Sequence, residues 1–193
     1  MREMLSMIVV LTVLTAVSGG LLAVVKAKTE PQIEEQVLKF QKAPAIKAIF
    51  ADATNDPIKE RFNAKAEGIE LQIFPSTLAD GVKAVAFEAK GTGFGGPIGL
   101  MVGVNIDTDE IIAARVTTHS ETPGIGSRAK EDLSFVGQFA DMSMASNFGT
   151  KGQGGEIDAM SGATVTSVGV SQAAIAAQDL YKKLKPEIVK QMN

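Results

Sequence analysis

IGLMVGVNI, residues 98–106, sets the fold class. Ile98, Leu100, Val102, Val104 and Ile106 alternate with Gly99, Met101, Gly103 and Asn105. Side chains in a strand point to opposite faces with a period of two, so one face here is branched and apolar while the other is small or polar. The pattern predicts a strand that packs one face on a core. Asp107-Thr108-Asp109 is turn chemistry, and Glu110 to Thr118 reads as a β-rich partner, completing a hairpin. Ile69 to Phe74 and Val82 to Ala89 read as two preceding strands, giving a small antiparallel sheet.

Downstream, a helix is expected from about Val165 to Leu184. Val170, Ala173, Ala177, Leu180 and Leu184 recur at helical spacing, Lys182, Lys183 and Lys185 complement its C-terminal dipole, and Pro186 closes it. This helix should lie along the sheet, in an α+β domain. GTKGQGGE at 149–156 is expected to be a glycine-rich loop free to act as a flap.

Upstream, Met4 through Val25 carries no charge. As a helix it reaches about 33 Å, enough to cross a hydrocarbon core of about 30 Å. A cleaved signal peptide is the rival reading. The apolar run exceeds the usual ~7–15 residues of a signal, and no clean small-x-small site precedes Lys26-Ala27-Lys28, which favours a retained anchor. Thr29-Glu30-Pro31 is a candidate helix start with an apolar stripe of Ile33, Val37, Leu38 and Phe40. Pro44 interrupts it, and a second short helix follows over about Ala45–Phe50. The expected organisation is an N-terminal transmembrane anchor over 1–28, a helical linker over 29–60 and a domain over 61–193, which the resemblance described below implies to be extracytoplasmic.

Composition narrows the function. The 193 residues have 45% hydrophobic content, enough for a core, and a formal net charge of -3. No basic field or aromatic-interleaved Arg/Lys stripe suits nucleic acid. With no cysteine and one histidine, His119, disulfides, thiolate catalysis and Cys-held clusters are excluded, and no metal site is expected. No catalytic residue stands out either.

Asp158-Ala159-Met160-Ser161-Gly162-Ala163-Thr164-Val165-Thr166 leads into the long helix. Unpaired N–H groups of a first helical turn, with hydroxyls and small residues around them, suit an anion. A Ser/Thr-rich stretch before a helix is also the ordinary form of a cap, and the residues alone leave both readings open.

SGAT at 161–164 with Thr166 resembles the S/T-G-A-T signature of the FMN-binding domain found in the Rnf G subunit and in the C subunit of the sodium-pumping quinone reductase. GFGGPIGLMVGVN at 93–105 is similar to that family's glycine-rich strand entry. His119-Ser120-Glu121-Thr122-Pro123-Gly124-Ile125-Gly126 resembles its H-x-E-T-P-G-hydrophobic-G loop. The family often has Tyr where Phe94 stands, so no hydroxyl contact is implied there.

The resemblance implies a great deal. A flavin transferase would join the FMN phosphate to Thr164, with Ser161, Gly162, Ala163 and Thr166 as the surrounding motif. Glu121, Thr122 and Gly124 would face the ring or ribityl chain, and a carboxylate near a flavin disfavours its anionic reduced form. His119 is either a proton relay or a structural group, and Lys151 either neutralises the phosphate or is solvated. The compact length resembles the Rnf G subunit more than the quinone reductase C subunit. The implied protein is a single-pass electron carrier in the cytoplasmic (inner) membrane, its flavin domain on the outer face. It would belong to a complex coupling ferredoxin and NAD oxidoreduction to Na⁺ or H⁺ movement. Its partners would be other Rnf membrane subunits, including a second covalent-flavin subunit and iron–sulfur subunits. The alternatives are the quinone reductase C-type subunit and a non-redox anchored scaffold.

Overall fold

The computed structural model describes residues 2–192; the outermost residues of the expected anchor and domain, 1 and 193, lie outside it. Helix α1 runs over Arg2–Val37, followed by a π-turn at Leu38–Lys42 and by α2 at Ala43–Ile49. By contacts the chain divides into two units, Met1–Phe40 and Gln41–Asn193.

In the first unit no residue of α1 is buried, and Met4, Leu5, Ile8, Leu11, Leu14, Val17, Leu21 and Leu22 are all more than half exposed. Protein covers none of this apolar surface. An α-helix satisfies its own backbone, so it is the form in which such a segment can lie in lipid. It is the single helix long and apolar enough to cross a membrane among the described residues. The expected helix start at Thr29 is not observed. The Thr29 hydroxyl donates back to the Val25 carbonyl at 3.0 Å, a mid-helix bond, and Pro31 lies inside α1.

The second unit is built on a five-stranded antiparallel meander in the order β1-β2-β3-β4-β5. Its strands are β1 Phe62–Ala66, β2 Ile69–Thr77, β3 Lys83–Thr92, β4 Pro97–Asn105 and β5 Ile111–Val116. Short helices α3 (Arg128–Glu131) and α4 (Leu133–Gly137) follow, then a 3-10 turn at Lys151–Gln153 and the long α5, Thr164–Met192. The expected β4–β5 hairpin forms. Asn105 accepts the Asp107 N–H on its side chain at 2.9 Å, and Asp109 takes the left-handed conformation at φ 58°. Strand β1 has no signal of its own in the sequence. It is tied to β2 through Glu67 and Gly68, with φ of 52° and 78°. Two positive φ values make a tight primed turn, normally announced by Asn-Gly or Asp-Gly rather than Glu-Gly.

Helix α5 lies on the sheet as expected, packing chiefly on β3, β4 and β1. Val170, Ala173, Ala177, Tyr181 and Leu184 are buried against Val85, Phe87, Leu100 and Val102, and the Tyr181 ring stacks parallel to Phe87 with centroids 6.0 Å apart. The helix does not stop at Pro186. It continues to Met192 with Ile188 fully buried and Val189 packed on the core. An internal proline costs about 3 kcal/mol, and burying such side chains returns about 1.5–3 kcal/mol each, so the extra turn is sustained by packing.

The other face of β4 is also covered, contrary to the one-sided burial expected. Met101 is buried, as are Ile46, Ile49 and Phe50 of the α2 segment and Phe74, Ala84 and Ala86 of the neighbouring strands, and α2 packs on β4 and β5. A Cβ at Gly103 would stand 2.2 Å from Ile49 Cγ2, which explains the glycine there. Small residues on that face leave room for α2 to close on the sheet.

Candidate functional site

Three segments meet at one end of the sheet. The first is the β3–β4 connection Gly93–Gly96, closed by the Gly93 N–H donating to the Gly96 carbonyl at 2.8 Å. The second is the loop after β5, residues 119–126. The third is the turn into α5, in which the Ala163 N–H donates to the Met160 carbonyl at 3.0 Å and Gly162 sits at φ 78°. A left-handed third position suits a glycine, so the tetrapeptide's Gly162 is required by the turn. Ser167 fixes that turn from the helix side: its hydroxyl accepts the Met160 N–H at 2.9 Å and donates to the Ala163 carbonyl at 3.0 Å.

Between the segments lies a cleft of ≈ 430 Å³ lined by Phe94, Glu121, Thr122, Ile125, Gly126 and residues 162–166. Phe94, Ile125 and Val165 are 77%, 50% and 53% exposed. In the second unit the other exposed large apolar side chains among the described residues are Leu133 and Ile175, so three of five border one cleft. Clustering of that kind marks a surface that something covers.

The two threonines of the motif differ completely. Thr166 is buried and its hydroxyl donates to one oxygen of Glu121. Thr164 is exposed at the first position of α5, and no hydrogen bond engages its hydroxyl among the described residues. The N–H groups of Thr164, Val165 and Thr166 likewise have no partner among the described residues. A free hydroxyl thus stands beside the positive end of a 29-residue helix. Ser161 and Gly162 are exposed and Ala163 is buried. The Ser161 carbonyl accepts from the Arg128 guanidinium at 3.2 Å. No sequence signal singles out Arg128, because it lies 33 residues from Ser161 along the chain.

Glu121 is 6% exposed, not a solvated loop charge. Its second oxygen accepts the Gly95 N–H at 2.7 Å, tying all three segments together. Thr122 and Gly124 are exposed, Gly124 at φ 71° with its N–H donating to Ser127 at 2.9 Å. His119 accepts the Glu121 N–H at 3.3 Å, which makes its structural reading the better supported. Lys151 pairs with Asp158 at 2.7 Å. The glycine-rich stretch 149–156 is not an open flap. Thr150 bridges Ile157, and a Cβ at Gly155 would stand 2.0 Å from the Gly149 carbonyl oxygen, so its glycines serve close approach rather than freedom.

Burial of Glu121 opposes its ionisation, but donation from Thr166 and from the backbone of Gly95 and Phe94 outweighs it and holds the carboxyl below its ordinary 4.5. Burial likewise opposes ionisation at Asp109, where Lys185 and Tyr181 donate to the carboxylate and hold it below 3.8. A carboxyl whose pKa is depressed by folding contributes stability that is complete above its unfolded value and is lost as pH falls through the folded value. The melting temperature of the full chain in detergent is therefore expected to hold from about pH 7 to 5 and to drop below about pH 4.5. A flat acid limb in a differential scanning experiment would contradict this.

A family model described as FMN-binding domain matches residues 93–179, which include all three segments. The G subunit of the ion-translocating oxidoreductase complex of Methanosarcina acetivorans is 31% identical over 180 residues, covering 92% of this chain and 94% of that protein. The G subunit of the same complex from Cronobacter sakazakii is 30% identical over 190 residues, covering 93% and 91%. The crystal structure of Shewanella oneidensis NqrC matches with a TM-score of 0.53 and 22% identity over 72% of this chain and 73% of that one, which shows the same fold. With an FMN-binding domain behind an apolar N-terminal helix, and relatives this similar along nearly their whole length, the chain belongs to the family of G subunits of ion-translocating oxidoreductase complexes.

Proposed function

We propose that the chain is a membrane-anchored electron carrier that holds FMN through a phosphoester on the Thr164 hydroxyl. The observation that carries this reading is that hydroxyl itself, unbonded at the head of α5 and at the mouth of the cleft. The site's donor set fits the group. The N–H groups of residues 164–166 and the helix dipole suit a phosphate, and the Arg128 guanidinium stands close enough to add a positive charge. A cleft of ≈ 430 Å³ bordered by Phe94, Ile125 and Val165 suits a flat aromatic ring, within the usual span of about 300–1,000 Å³ for ligand pockets.

Bound FMN supplies the redox chemistry, accepting and releasing electrons one or two at a time. The chain's residues hold and orient. Thr164 fixes the attachment point, Gly162 and Ser167 hold the turn that presents it, Thr122 and Ala163 line the cleft, and Gly124, which does not line it, turns the loop beside it at φ 71°. An ester cannot dissociate between turnovers, so retention does not depend on affinity. This suits a domain on the outer face of the cytoplasmic membrane, with the helix start on the cytoplasmic side, where free FMN is not at hand for rebinding. In this reading a flavin transferase loads the chain. Its neighbours are the other subunits of an Rnf-type complex, including a second covalent-flavin subunit and iron–sulfur subunits, and the complex couples ferredoxin and NAD oxidoreduction to Na⁺ or H⁺ movement. Similarity to G subunits over nearly the full length favours this complex over the quinone reductase, for which the likeness is one of fold.

The test is the intact mass of the protein purified from its own membrane. An adduct of one FMN less one water, with a band that fluoresces under ultraviolet light in a denaturing gel, is the expected result. A bare polypeptide mass and a dark band would leave an anchored scaffold domain in its place.

A further inference from the structure

The cleft has one ionisable group in its wall, Glu121, among the described lining residues. Its carboxylate is hydrogen-bonded by neutral donors: Thr166 on one oxygen, the Gly95 N–H at 2.7 Å on the other, with the Phe94 backbone adding to them. No Lys, Arg or His forms an ion pair with it among the described residues. Buried carboxylates are ordinarily paired with a cation. This one has its hydrogen bonding satisfied without an ion pair, and the one ionisable side chain that acts on its charge is His119, whose Nδ1 accepts the Glu121 N–H at 3.3 Å.

The surroundings are cut to fit it. A Cβ at Gly93 would stand 2.5 Å from one carboxylate oxygen, and a Cβ at Gly126 would stand 2.6 Å from the other and 2.7 Å from the Thr166 hydroxyl. At Gly95 a Cβ would stand 2.0 Å from the Ser120 carbonyl oxygen. Glycines on two of the three segments thus make room for a side chain that joins all three. A hydrophobic residue would fill that space at lower desolvation cost, so packing alone does not account for a buried charge held without an ion pair.

Resting on the reading that this cleft carries FMN, we infer that Glu121 is a fixed anion that lowers the reduction potential of the flavin, and that the same carboxylate positions the loops forming the seat. Each electron taken up makes the cofactor more negative unless a proton accompanies it. A nearby fixed negative charge raises the energy of the reduced form relative to the oxidised one. Because the carboxylate is buried, mobile ions screen it less than a surface charge. The depressed pKa of Glu121 keeps it charged across the working pH range.

Glu121→Gln separates the two roles. The amide oxygen still accepts from Gly95 and the amide nitrogen donates to the Thr166 oxygen, so the hydrogen bonds remain while the charge goes. The full-length chain in detergent, loaded by a flavin transferase with FAD and Mg²⁺, would be weighed intact and then titrated spectroelectrochemically at low and at high salt. We expect Glu121→Gln to carry the flavin adduct at parental occupancy and to titrate at a more positive potential, with most of the shift surviving high salt. Glu121→Asp, which keeps the charge, should stay nearer the parental potential. A Glu121→Gln chain that loads and titrates at the parental potential overturns the inference, as does one that fails to load, since the amide preserves the bonds to which positioning is assigned. A parental chain without an adduct refutes instead the reading beneath it.

Discussion

Thr164→Ala removes the flavin adduct completely and leaves the fold as stable as before. The first half of this expectation follows from the chemistry proposed for the residue: without the hydroxyl there is no oxygen to esterify, so intact mass should show the bare polypeptide after full exposure to transferase, FAD and Mg²⁺. The second half follows from its surroundings. Thr164 is exposed, begins α5 and makes no side-chain hydrogen bond among the described residues, and alanine is the better helix former. A surface change of this kind alters stability by less than about 0.5 kcal/mol. Thr166→Val in the same motif supplies the contrast. It deprives a buried carboxylate of one donor and should cost roughly 1.5–3 kcal/mol. A flavin adduct surviving in Thr164→Ala, carried by Thr166 or Ser161, would refute the assignment of the attachment point.

The largest loss of stability is expected at a glycine just outside the quoted motifs. Gly91 on β3 faces Gly169 on α5, and a Cβ at Gly91 would stand 1.9 Å from the Gly169 carbonyl oxygen and 2.8 Å from the Ala173 amide nitrogen. Those atoms are backbone and cannot rotate away. Gly169 is constrained reciprocally, its Cβ position lying 2.7 Å from the Thr92 carbonyl oxygen. Gly91→Ala must push the helix off the sheet along the very contact that presents the head of α5 to the cleft. Overpacking typically costs about 1–3 kcal/mol, and a clash with rigid backbone belongs at or above the top of that range. We expect a loss of roughly 3 kcal/mol in chemical denaturation of the full chain in detergent, together with reduced flavin loading. An unchanged denaturation midpoint would show that the helix and sheet are not held at this distance in solution.

Periodic elements are legible without any coordinates. Ile98 to Ile106 announces β4 through strict alternation, and Val170 to Leu184 announces the buried stripe of α5 through spacing of three and four. Where the sequence misleads, a distant contact outweighs a local signal. Pro186 ought to end α5, yet burial of Ile188 carries the helix on. Thr29 ought to begin a helix, yet its hydroxyl bonds within one already formed. The alternation in β4 suggests an open face, yet Gly103 and Met101 are small or flexible enough for α2 to cover them. Helices α3 and α4 are too short for a period to emerge, and β1 is joined by a turn whose Glu-Gly pair carries a weak signal.

Local pattern is enough to establish the apolar segment, the sheet-and-helix class and the SGAT stretch with its two threonines, because hydrophobic period, length and turn residues are properties of neighbouring positions in the chain. Packing in three dimensions settles the rest: which threonine is free and which is spent on a buried carboxylate, that Glu121 is walled in rather than solvated, and that Arg128 lies against the Ser161 carbonyl. These outcomes depend on the loops after β3 and β5 meeting the head of α5 at one end of the sheet. A contact between residues 45 positions apart, such as Thr166 with Glu121, leaves no trace in local spacing.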